Sequence, residues 1–176
     1  MRIGMSATWI IGLLVASGVG WAAAAPAGSA DDISGWQVYR SEQYFFELRF
    51  PPDFVAIAPS NQLRPQPIFR VWFKQASMAN SPIADREPPQ LAIDVYDNPM
   101  RQTLDVWLAE NGFIRNFARA ARQSANVGGI DGLHLTDQAL SAPNSYYFAA
   151  RGLSVYRFTP LGALSDRMLA TVRFIR

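Results

Sequence analysis

The chain has no cysteine in its 176 residues. This excludes disulfides, thiolate nucleophiles, thiolate metal sites and a lipid-anchored cysteine. Histidine is almost as scarce, with His134 alone, so a zinc site lacks ligands of the right type and spacing. Lysine is reduced to Lys74 against 15 arginines. Those arginines are scattered, which fits codon bias better than a built anion site. No long run of like charge occurs. From Ala25 onward there are 15 basic and 14 acidic residues, a net of +1. Such a balance argues against bulk electrostatic binding to nucleic acid or to an anionic membrane. There is no G-x-S-x-G elbow, no run of alternating oxygen ligands for calcium, no internal repeat and no low-complexity block. Gly128-Gly129-x-x-Gly132 lacks the Lys-Ser/Thr ending of a phosphate loop and reads as a turn.

The first residues differ from the rest. Met1-Arg2 give a small positive start, Trp9 to Val19 an apolar core, and Trp21 to Ala25 a tail of small residues after one Trp. This is the pattern of a secretory signal peptide over 1–24, with Ala22-Ala23-Ala24 as the cut and Gly28-Ser29-Ala30 as a later one. The other reading is a retained anchor, since Ala7 to Ala25 approaches the roughly 17 residues of a short span. Residues 25–35 read as a flexible lead-in. Residues 36–176 are expected to be a single domain, large enough to bury roughly 70% of its unfolded surface.

Trp36 to Arg40 and Tyr44 to Phe50 are expected strands around the turn Ser41-Glu42-Gln43. Tyr44, Phe46, Leu48 and Phe50 alternate with Glu47 and Arg49, the period-2 pattern of a half-buried strand. Pro51-Pro52 ends it. Phe54 to Ala58, Ile68 to Lys74 and Gln90 to Asp97 are further strands. Pro59 to Pro67 is a loop, and so is Gln75 to Pro89, whose length suggests mobility or function. Thr103 is a candidate N-cap, with Leu104, Trp107 and Leu108 on one helical face and Gly112 as the stop. Phe113 to Ala121 continues the helical spacing as a kinked extension or a second helix. Gln123 to Val127, Leu133 to Leu140, Tyr146 to Arg151 and Leu153 to Thr159 read as a strand meander, with Gly128 to Gly132 as a turn. Ala163 to Val172 reads as a closing helix.

The spacing W-x-x-Y-x-S-x-x-Y-x-F-x-L-x-F-P, carried by Trp36, Tyr39, Ser41, Tyr44, Phe46, Leu48, Phe50 and Pro51, resembles the start of PsbP-like domains. These share a broad fold with Mog1-like and with DcrB and LpqN-type exported proteins. Thr103-Leu104-Asp105-x-Trp107, Ile130-Asp131-Gly132 and Thr171-Val172-Arg173-Phe174 resemble later family segments. The resemblance implies an α+β fold, an antiparallel sheet sandwiched by helices. It also implies a non-catalytic job as an assembly factor, extrinsic subunit or envelope accessory. It carries over no metal ligand.

Chemistry-bearing positions are few. His134 lies between Leu133 and Leu135 and is expected to face outward. An enzyme would need it gathered in a cleft with Asp131 or Asp137. Asp94 and Asp97 lie three apart in a strand and should diverge. Phe45, Trp72 and Tyr96 fall on the nominally outward faces of their strands. They are either covered by helices or exposed as a partner-contact patch. Together with what the resemblance implies, these features lead to the expectation of an exported, periplasmic or extracellular, monomeric binding domain acting on an envelope or thylakoid-lumen-like protein complex. It would have no catalytic residues, cofactor, metal or nucleic acid, and would touch membrane only through the N-terminal signal. Alternatives are a carrier of a small apolar or lipid-like ligand, and a hydrolytic enzyme.

Overall fold

Strand β5 (Leu91–Asp97) is buried along six of its seven residues, which requires packing on both faces. The computed structural model describes residues 32–59, 65–79, 81, 87–138 and 144–176, and shows what covers each face. The 1–24 signal segment and its alternative cut lie outside the described residues. So do parts of the two proline-containing loops expected at 59–67 and 75–89.

Beside β5 run β3 (Phe54–Ile57), β4 (Phe69–Gln75), β6 (Ala121–Val127), β7 (Ile130–Thr136), β8 (Ser145–Arg151) and β9 (Ser154–Pro160). They form one seven-stranded sheet in the order β3-β4-β5-β9-β8-β7-β6, with every neighbouring pair antiparallel. A second sheet has three strands. β2 (Phe46–Phe50) is central, flanked by β1 (Gln37–Ser41) and by the last strand, β10 (Arg173–Phe174). The expected first two strands therefore stand apart from the main sheet, and the second of them also pairs with the end of the chain.

One face of the large sheet packs against this small sheet and helix α4 (Ser165–Ala170). Alternation explains which side chains meet. Phe46, Leu48 and Phe50 point inward from β2 toward Phe73, Ile93, Val95, Tyr156 and Phe158, joined by Met168 and Val172. Aromatic rings dominate the seam: Phe50 lies 5.2 Å from Phe73, and Tyr39 meets Phe73 edge-on at 5.5 Å. The other face is roofed by α2 (Leu104–Glu110) and α3 (Phe113–Asn116). Trp107, Leu108, Phe113 and Phe117 descend onto Tyr96, Leu135, Tyr146, Phe148 and Val155. Gly112, at φ +77°, breaks the helix in two, because only glycine adopts that backbone without steric cost. The second piece is short. Ala121, expected at its end, already begins β6.

The Gly128 to Gly132 segment is less of a turn than its spacing suggests. Gly128 and Gly129, at φ +60° and +86°, make a two-residue hairpin turn closed by the pair Val127 and Ile130. Gly132 lies inside β7, opposite Ala125 on one side and Ala149 on the other. A short helix α1 (Ala76–Ala79) comes directly after β4. Residues 33–176 form one compact unit. Among the described residues, no helix is long and apolar enough to cross a membrane.

Candidate functional site

The turn between β1 and β2 carries Phe45, half exposed and held at φ +53°. A bulky residue in the left-handed region is strained by roughly 1–2 kcal/mol, and it persists only if neighbours over-determine it. They do so here. The Phe45 carbonyl accepts from the Ile175 amide at 3.0 Å and from Arg151 Nη1 at 3.1 Å. Arg151 Nη1 also donates to the Ile175 carbonyl at 2.7 Å, and its guanidinium lies 5.5 Å from the Phe174 ring. One residue earlier, the Tyr44 carbonyl accepts from the Tyr156 hydroxyl at 2.8 Å. The strained turn is thus bolted to β8, β9 and the C-terminal strand.

Between this turn and the β8–β9 turn opens a cleft of about 320 Å³, with Phe45, Leu153 and Tyr156 as its apolar walls and Gln43, Arg151 and Arg176 as its polar ones. Further apolar side chains are exposed at this end of the domain. Leu153 is half exposed, as is Ile68, whose carbonyl accepts from the Tyr44 hydroxyl. Met100 is 81% exposed, in a loop tied to Leu153 by the Asn98 amide at 2.7 Å. That loop holds Arg101, at φ +50°, and is closed by paired hydrogen bonds between the Asn98 side chain and the Gln102 backbone. Phe45 and Arg101 are the non-glycine residues at positive φ among those described, and both occur at this end.

Asp94 is not paired with Asp97. Its carboxylate is buried and gripped by arginines on both neighbouring strands. Arg70 Nε donates to Oδ1, while Arg157 Nε and Nη2 donate to Oδ2 at 3.0 and 2.6 Å. Register explains the contact, since Arg70 and Arg157 each lie directly opposite Asp94. The Arg157 guanidinium extends over Tyr96 and Phe113, at 5.6 and 5.7 Å. The cluster lies beneath the helical roof and is a structural clamp.

His134 is half-buried and stacks flat on its cross-strand partner Tyr147, with ring centroids 4.1 Å apart. Its Nε2 meets Ser145 Oγ at 2.7 Å and Thr136 Oγ1 at 3.2 Å. His134 and Ser145 line an open cleft of about 330 Å³ that also contains Asp166. Neither Asp131 nor Asp137 is drawn to the ring. Asp131 pairs weakly with Asn126 at 3.4 Å, and Asp137 lines a separate hollow with Arg119 and Gln123. A serine nucleophile needs a base held by a third group. Here one nitrogen is shared by two hydroxyls, an arrangement that ties strands together.

Burial lowers the His134 pKa, with the Asp166 charge partly opposing the shift. A depressed histidine takes up its proton more readily in the unfolded chain. Its stabilising contribution is therefore present above about pH 6.5 and lost as pH falls below it. The urea midpoint should drop between pH 7.5 and 5.5 in the natural protein and drop less in His134→Gln. Equal drops would show that the imidazole is not the group responsible.

The three aromatics on nominally outward strand faces, read as either helix-covered or a partner-contact patch, part company. Phe45 is exposed, although it belongs to the turn and not to a strand face. Trp72 is half-buried, with Lys74 Nζ 5.1 Å from its ring. Tyr96 is a correction. It is 2% exposed, wedged 5.3 Å from Trp107 and 5.6 Å from Phe113, because the α2–α3 roof covers that part of the sheet. Burial raises its phenol pKa, and its hydroxyl has no hydrogen-bond partner among the described residues. Sequence reasoning missed Arg151, Leu153 and Arg176; only the tertiary structure brings Arg176 beside the Arg151–Leu153 turn. The apolar Leu153 in the tight turn at Gly152 was the one available signal. Among the described residues, no group of three or more acidic or histidine side chains could hold a metal ion.

A mostly antiparallel two-sheet core with a helical roof defines an α+β domain of PsbP-like fold. The solution structure of cyanobacterial PsbP (CyanoP) from Synechocystis sp. PCC 6803 is similar to this chain. The TM-score is 0.52 at 14% sequence identity, over 85% of this chain and 99% of that one. No protein-family model matches the chain, nor does any curated protein sequence.

Proposed function

We propose that this protein is an exported, non-catalytic accessory domain that docks on a protein complex of the cell envelope, and that the Phe45–Leu153 end is its contact surface. The single observation that carries this is Phe45 itself. A large apolar side chain is held half in solvent by a strained backbone, where glycine would serve the turn better. Strain maintained at an exposed position is a mark of function. The surrounding Leu153, Ile68 and Met100 extend one apolar surface, as a macromolecular contact would use. The PsbP-like fold and the signal-like N-terminus support the accessory role and the compartment.

Phe45→Gly tests the assignment. Relief of roughly 1–2 kcal/mol of strain offsets the loss of a half-buried ring worth about 1 kcal/mol. The variant should therefore unfold at nearly the natural midpoint. Leu153→Asp should also remain folded. In both variants, the partner recovered by cross-linking in envelope extracts with the natural protein should be lost. Recovery of that same partner by both variants would refute this surface.

A further inference from the structure

We infer that the Phe45–Leu153 cleft receives an apolar side chain accompanied by a carboxylate, supplied by an acidic, apolar segment of the partner protein. This deepens the proposed docking surface and rests on it.

Charge complementarity carries the inference. Arg151 and Arg176 line the cleft, and among the described residues no Asp or Glu side chain does. The acids of the adjoining hairpin, Glu42 and Glu47, are both paired with Arg40, at 2.5 and 3.4 Å. Arg151 is also preorganised. Its Nη1 is committed to two main-chain carbonyls and its plane is held near Phe174. Its Nε and Nη2 have no acceptor among the described residues. A guanidinium fixed in this way offers its remaining donors without the ordering cost that a free surface arginine bears. Arg176 adds an exposed second cation.

The cleft's size argues for a protein segment. About 320 Å³ is at the small end of ligand pockets, and this cleft is open where such pockets enclose most of a ligand. It has room for one large side chain. Ile68 and Met100 lie beyond it, where a longer segment would reach them.

The test is a titration of the labelled protein by ¹⁵N NMR with two probes, N-acetylphenylalaninate and its uncharged amide analogue. The carboxylate probe should shift the Phe45, Gly152 and Leu153 amides and bind at least about tenfold more tightly, as a charge-assisted hydrogen bond requires. Arg176→Gln and, separately, Arg151→Gln should bring its affinity toward that of the amide. Leu153→Asp should weaken both probes. Equal affinities for the two probes, or shifts confined to other residues, would overturn the acidic-segment inference. So would sedimentation of the protein with phosphatidylglycerol vesicles, abolished in Arg176→Gln, without a response to either probe. These outcomes leave the docking surface to be judged independently by Phe45→Gly in envelope cross-linking.

Discussion

Asp94→Asn should destabilise the domain by about 3–5 kcal/mol, the usual consequence of breaking a buried ion pair from one side. The substitution preserves shape and removes charge. Arg70 and Arg157, both largely buried, would then face each other across a neutral amide that cannot accept equivalent bonds from both guanidiniums. The cost is that of two largely buried guanidiniums losing the carboxylate they share. It should appear as a lower urea midpoint with an unchanged slope. Replacing all three residues together, with Leu for Asp94 and Met for each arginine, should recover most of the loss, because buried ion clusters often do no better than apolar residues of similar volume. A cost below about 1 kcal/mol for Asp94→Asn would mean that water reaches this cluster and that the helical roof opens readily above it.

The second large effect is expected at Gly132. A Cβ built there would lie 2.1 Å from the Phe148 carbonyl oxygen and 3.1 Å from its carbon. The obstacle is backbone of the neighbouring strand, which cannot swing aside as a side chain can. Gly132→Ala should therefore cost about 3 kcal/mol or more, at the upper end of overpacking penalties. This exceeds the gain of up to about 1 kcal/mol from stiffening the unfolded chain. For a domain of this size it corresponds to a fall in Tm of roughly 6–12 °C. Gly129→Ala is the control. Nothing lies within 4 Å of its added Cβ, but its φ is +86°, so it should cost only about 1–2 kcal/mol of backbone strain. If the two variants melt together, the strands shift readily enough at Gly132 to accommodate a methyl group.

The strands of the small sheet were legible because aromatic and aliphatic residues alternate from Tyr44 to Phe50 and prolines end the run. Periodicity reports which side chains share a face, and that survives folding. The α2 start at Thr103 and the break at Gly112 were legible for the same local reason. Tyr96 and Asp94 were not. Both occupy the face of β5 that alternation labels as outward, and whether that face meets water depends on where a helix dozens of bonds away comes to rest. Gly132 looks like part of a turn because glycine-rich strings usually are one. Its actual role, a close approach between strands, exists only once β7 and β8 are in register.

By itself, then, the amino-acid order determined the absence of thiol chemistry, the alternation of the strands and the α+β class. These depend on residue type and short-range spacing. Only tertiary structure decided that the first two strands leave the main sheet to form a second one with the last, that Asp94 is clamped by two arginines, and that Phe45, Leu153, Arg151 and Arg176 enclose one cleft. Phe45, the pair Arg151 and Leu153, and Arg176 come from three parts of the chain separated by as many as 131 positions. No local signal links them, because their proximity is a product of sheet pairing and not of sequence spacing.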